Sequence, residues 1–178
     1  MLSNKDFKTV LQSSYLPQQR AKTLGEQQGL QYDSANSKMD TKVFLKNNKP
    51  IVVHRGSTRI SDWVYEDPAS FLGIKTKRAL EAQRLNKRLE QQYGSKPINV
   101  GHSLGGALAE QTSRGGNVMT YNKLTTIPSI FRDRPYGQVD VRTNLDIPSA
   151  LSQYQKGGQL VNIAGSYNPI ESHSTKYL

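Results

Sequence analysis

Residues 97–107 read Pro97-Ile98-Asn99-Val100-Gly101-His102-Ser103-Leu104-Gly105-Gly106-Ala107. A short apolar strand, Ile98 to Val100, runs into a Gly-x-Ser-x-Gly turn and out into helix-compatible residues that extend to Ser113. Strand, tight turn and helix in that order are the surroundings a nucleophile elbow requires. The bend is sharp enough to hold its serine in a strained backbone conformation. Glycines two before and two after remove Cβ atoms that would clash. Gly106 and Ala107 let the helix approach the sheet, and the Ser103 hydroxyl is presented beside the positive end of that helix. The competing reading of Ser103 is a plain helix N-cap, a role that serine favours.

Outward from this stretch the chain alternates strand and helix. On the N-terminal side, the spacing of Ala82, Leu85, Leu89 and Tyr93 predicts a helix over Lys75 to Tyr93, which Gly94 ends. Before it, Lys42-Val43-Phe44-Leu45 and Pro50-Ile51-Val52-Val53-His54 read as a β-hairpin turning at Asn47-Asn48-Lys49. On the C-terminal side, Val118 to Tyr121 and Gln159 to Ile163 read as strands. Val139, Val141, Thr143 and Leu145 alternate with Asp140, Arg142 and Asn144 as a period-2 strand with a polar face. Pro148 to Tyr154 is a candidate short helix. The pattern predicts βαβ units and a largely parallel sheet with flanking helices. Residues 1–40 are polar and rich in Gln, Ser and Lys, with a short helix from Asp6 to Leu16 stopped by Pro17. They read as an N-terminal arm of helix and loop, with the α/β domain over 41–178.

Composition narrows the chemistry. The 178 residues contain no cysteine, which excludes disulfides, thiolate catalysis and cysteine-based zinc sites. Nothing in the pattern calls for a metal or an organic cofactor. No apolar run approaches the roughly 20 residues of a spanning helix, and residues 1–6 lack a signal-like stretch. The expectation is a soluble, cytoplasmic protein. The formal net charge of +10 favours anionic partners, with an anionic membrane surface ahead of nucleic acid. The basic helix bearing Lys75, Lys77, Arg78, Arg84, Lys87 and Arg88 has no aromatic stacking motif beside it, so a solvated outer face competes with a nucleic-acid surface. Oligomeric state leaves no mark in the sequence.

A serine hydroxyl needs a base to become nucleophilic at neutral pH. The chain has three histidines: His54 in a predicted strand, His102 inside the elbow with its side chain expected to point elsewhere, and His173 in a polar tail. A triad on this kind of sheet runs in the chain order serine, acid, histidine, which selects His173. The acid must hold the imidazole in one tautomer and stabilise the imidazolium. The carboxylates between Ser103 and His173 are Glu110, Asp133, Asp140, Asp146 and Glu171. Asp146 ends a strand, where sites in open α/β sheets form, and is the choice. A turn aspartate and a surface histidine are the competing roles of these two residues.

Four blocks carry a resemblance to the class 3 lipase family, the fungal-lipase-like branch of the α/β-hydrolases. They are Ile51 to Ser57 with Ser61-Asp62-Trp63, then Val100 to Ala109, Thr143 to Pro148, and Asn168 to Ser174. The resemblance covers the chain from about Val43 to its end. It implies an α/β-hydrolase fold and hydrolysis of carboxylic esters, lipids above all, through Ser103, His173, Asp146 and an acyl-enzyme. It also implies an oxyanion hole made by the backbone N–H groups of Leu104 and Ser57, aided by the Ser57 hydroxyl. Where fungal members carry an apolar lid helix, this chain has a short segment whose Trp63 and Phe71 are candidate substrate contacts, with core packing the competing role for Trp63. The alternative on the same fold is a scaffold without turnover that binds an anionic membrane or nucleic acid.

Overall fold

The computed structural model describes residues 2–57, 77–113, 115–125 and 127–178. Among the described residues seven strands form one mixed sheet whose spatial order follows the chain. They are β1 (Gln31–Tyr32), β2 (Thr41–Lys46), β3 (Lys49–His54), β4 (Ile98–His102), β5 (Val118–Tyr121), β6 (Gln138–Thr143) and β7 (Gln159–Ile163). β1, β2 and β3 pair antiparallel, and β3 through β7 pair parallel. The β2–β3 hairpin turns at Asn47 and Asn48, both with positive φ (50° and 60°), the conformation of a type I′ turn that asparagine tolerates.

The parallel strands advance in one direction across the sheet, so crossovers of the usual right hand fall on one face. That face is covered by α3 (Lys77–Tyr93) and α4 (Leu104–Thr112), whose Ala79, Ala82, Leu85, Leu89 and Leu108 are buried, with Val43 and Val52 packed against Leu85 and Leu89. The opposite face needs a cover from elsewhere in the chain. The helices α1 (Asn4–Ser14) and α2 (Gln18–Gln27) supply it. Phe7, Val10, Leu11 and Ala21 form one cluster with Ile51, Val53, Ile98, Val100, Met119, Tyr121 and Val139. Residues of the first forty positions therefore enter the main core. Full burial of an aliphatic side chain such as Leu11 contributes roughly 1.5–3 kcal/mol as an upper figure.

α1 starts at Asn4, two residues earlier than the sequence pattern predicts. Ser3 and Asp6 form a reciprocal capping box, Asp6 N–H donating to Ser3 Oγ at 3.1 Å and Ser3 N–H to Asp6 Oδ2 at 3.3 Å. The stretch from Gly25 to Met39, read from sequence as loop or weak helix, contains the end of α2 and all of β1. Its mean hydropathy is low because few of its residues face the sheet. No described helix is long and apolar enough to cross a membrane.

One face assignment differs from the sequence pattern. Asp140 in β6 does not point to solvent but is 2% exposed, because a parallel sheet is covered on both faces. Its carboxylate meets Lys123 Nζ at 2.8 Å and Arg134 Nε at 2.7 Å. Lys123 also donates to Glu110 and to Gln155 Oε1, and Arg134 to the Gln155 and Ser152 carbonyls. Burial alone would raise the Asp140 pKa. The two cations beside it hold it below the ordinary carboxylate value.

Candidate active site

Ser103 sits between β4 and α4 with φ 55° and ψ −125°. This is backbone that non-glycine residues rarely adopt and that costs of order 1–3 kcal/mol. Its hydroxyl makes no capping bond to α4, so the N-cap reading does not describe it. The glycines around it answer to close approach. A Cβ on Gly101 would lie 2.1 Å from the Gly105 carbonyl oxygen, and one on Gly105 would lie 2.1 Å from that of His54. A Cβ on Gly56 would meet the His102 carbonyl at 2.7 Å, Tyr15 Oη at 2.9 Å and Ser103 Cβ at 3.1 Å. The segment 55–57 thus lies directly against the turn. Leu104 is the first residue of α4, so its N–H has no acceptor within the helix. Ser57 follows Gly56 and is half-buried. Trp63 and Phe71 lie outside the described residues.

Asp146 and His173 are both buried, at 1% and 6% exposure. Asp146 closes the turn after β6, where its Oδ2 accepts the Ser149 N–H at 2.8 Å. Its Oδ1 lies 2.5 Å from His173 Nδ1. A carboxylate oxygen accepts, so Nδ1 is the donor in this contact and Nε2 is the ring nitrogen left for another partner. His173 ends the short helix α5 (Pro169–His173).

The backbone around His173 is held by side chains from the ends of three strands. The Ser172 carbonyl accepts from Asn122 Nδ2 and Thr143 Oγ1, both at 2.7 Å. The His173 carbonyl is 2.7 Å from His102 Nε2. The Ser174 carbonyl accepts from Tyr121 Oη at 3.3 Å. Asn122 Oδ1 in turn accepts from the Thr143 N–H at 2.8 Å, joining the ends of β5 and β6. Neither Tyr121 nor Asn122 carries a motif signal, and Thr143 enters one only as the first residue of the Thr143 to Pro148 block. Only their places at strand ends single them out.

His102 lies beside His173, with ring centroids 4.8 Å apart, a neighbour the sequence did not name. Its Nδ1 is 2.5 Å from Tyr15 Oη. Burial, reinforced by neighbouring His173, lowers its pKa to about 3. His54 is also buried on β3, on the α3 side, and burial followed by nearby Arg78 lowers its pKa to about 3. Both are neutral at pH 7.

The fold is similar to the lipase α/β-hydrolase fold. The chain spans 82% of its own length on native Rhizomucor miehei lipase in its propeptide complex, with a TM-score of 0.55 and 18% identity. It spans 90% on the Ser95/Ile96 deletion mutant of that complex, with a TM-score of 0.53 and 17% identity. It covers 61% and 65% of those two chains. The phospholipase-like family described as the Tle-like phospholipase domain matches residues 11–163, and the chain belongs to that family. The match begins before Tyr15, within the arm that carried none of the sequence resemblance. No curated protein matches the chain.

Proposed function

We propose that the chain is a serine hydrolase that cleaves carboxylic esters of lipids, phospholipids foremost, through an acyl-enzyme. The observation that carries this reading is Ser103 in its strained turn, uncapped, on the same end of the sheet as a buried Asp146–His173 pair. Family membership supports the lipid class of substrate.

Ser103 Oγ attacks the ester carbonyl carbon and gives its proton to His173 Nε2. Asp146 holds the opposite nitrogen and stabilises the imidazolium without taking the proton. The carbonyl oxygen becomes an oxyanion that accepts from the N–H groups of Leu104 and Ser57. Collapse breaks the bond to the alcohol, which leaves with the proton from His173. Water then attacks the acyl-enzyme by the same path in reverse and releases the acid.

Fluorophosphonate labelling and hydrolysis of p-nitrophenyl butyrate and of phosphatidylglycerol vesicles test the proposal. Wild type forms an adduct on Ser103 and turns over ester, and Ser103→Ala does neither while staying folded. A folded wild type that takes no label and cleaves neither substrate is a scaffold without turnover.

A further inference from the structure

The polypeptide reaches His173 by a route no triad requires. β4 alternates its side chains, so Ile98, Val100 and His102 share the face covered by α1, while Asn99 and Gly101 face α3 and α4. His102 therefore points at the C-terminal end of α1, where Tyr15 is the capping residue. The His173 carbonyl can only accept, so His102 Nε2 carries the proton and donates to it at 2.7 Å. Nδ1 then has only a lone pair, and Tyr15 O–H donates to it at 2.5 Å. The phenol remains a donor at neutral pH, because burial pushes its pKa up to about 12.

We propose that Tyr15 and His102 are positioning residues for the general base: the His173 carbonyl selects the Nε2–H tautomer of His102, the phenol donates to Nδ1 and holds the ring in place, and the Nε2–H fixes the backbone, and hence the ring, of His173. This rests on the proposed function. Without Tyr15 the buried His102 Nδ1 loses its donor, and the ring is no longer held from both sides against the His173 carbonyl. The Tyr15 oxygen also edges the small space between Gly56 and Ser103, so one hydroxyl touches the oxyanion segment, the elbow and, through His102, the base.

The placement of Tyr15 is itself built. Lys42 is buried, and its Nζ donates to the Ser14 carbonyl at 3.0 Å and to the Met39 carbonyl at 2.9 Å. This pins the residue before Tyr15 to β2. The N-terminal segment thus reaches the reaction centre while contributing no atom to the reaction.

The experiment compares Tyr15→Phe, His102→Leu and His102→Gln with wild type, using p-nitrophenyl butyrate and fluorophosphonate labelling. A far-downfield proton NMR signal serves as a direct readout of the His173–Asp146 bond. Gln can still donate to the His173 carbonyl, whereas Leu cannot. His102→Leu should lower kcat and the labelling rate about 100-fold, the scale of a misplaced catalytic group, with KM unchanged within about two-fold. Tyr15→Phe should lose about ten-fold, the scale of one hydrogen bond. His102→Gln should recover most of the loss, and its downfield signal should stay sharp where that of His102→Leu broadens. An active wild type whose kcat and downfield signal are unchanged in both His102→Leu and Tyr15→Phe overturns the relay. So does a His102→Gln variant as impaired as His102→Leu. A wild type inert to both reagents overturns the hydrolase reading itself, and the relay with it.

Discussion

Asp146 Oδ1 and His173 Nδ1 are 2.5 Å apart although 27 positions separate them in the chain. The carboxylate also accepts the Ser149 N–H, which fixes its plane against the imidazole edge. Asp146→Asn keeps the shape but offers an amide where the proton on Nδ1 needs an acceptor. With the proposed mechanism the wrong tautomer then faces Ser103. Steady-state ester hydrolysis should show kcat reduced by about four orders of magnitude with little change in KM. A loss under ten-fold would remove Asp146 from the mechanism.

Gly105 touches β3 so closely that a methyl group has no place to go. Its Cβ would lie 2.1 Å from the His54 carbonyl oxygen and 2.8 Å from the Arg55 carbonyl carbon, both backbone atoms. Gly105→Ala should therefore destabilise by at least about 3 kcal/mol, at the upper end of overpacking costs. Urea denaturation read by circular dichroism gives the value, and a change below 1 kcal/mol, about the net worth of one hydrogen bond, contradicts the geometry.

Stability should fall as pH drops below about 6.5. Burial lowers the pKa values of His54 and His102 to about 3, against 6.5 for the free side chain. Between those values the unfolded chain binds protons that the native state does not, so stability rises with pH through the window and is fully present above it. The slope is about 1.4 kcal/mol per pH unit for each histidine. Asp140, held below its ordinary value, adds to the loss only under pH 3.8. Thermal melts of wild type and His102→Gln at pH 7 and pH 5 should show the smaller difference in the variant. Equal differences would mean that His102 does not carry this dependence.

Lys123 connects β5 to α4, β6 and the segment 150–155 from a position 2% exposed. Lys123→Met leaves the Asp140 carboxylate with Arg134 as its remaining ion-pair partner, beside the neutral donors Thr120 and Gln138, and Glu110 without its buried cation. Removing one partner of such a network costs about 3–5 kcal/mol. Chemical denaturation at pH 7 measures it. A neutral outcome would mean that the four charges are not coupled.

What the sequence by itself determined is the local geometry. Gly101, Ser103 and Gly105 specify the elbow because its constraints are steric and act within a few residues. Asn47-Asn48 specifies the hairpin turn because both residues must accept positive φ. The alternation in β4 even encodes the direction of His102, although no neighbouring residue says what it meets there. The tertiary structure alone decided the rest. The first forty residues show the first helix but lack periodicity strong enough to reveal the second or its docking, and they fold because the sheet leaves a face for Phe7, Val10 and Leu11 to cover. Asp140 reads as surface until Lys123 and Arg134 arrive from other segments to offset its burial. Tyr15 stands 87 positions from His102, and the two meet only through the order of the strands and the packing of α1 across them. Pairing over such distances depends on which faces the whole chain must bury, and no stretch of a few residues carries that information.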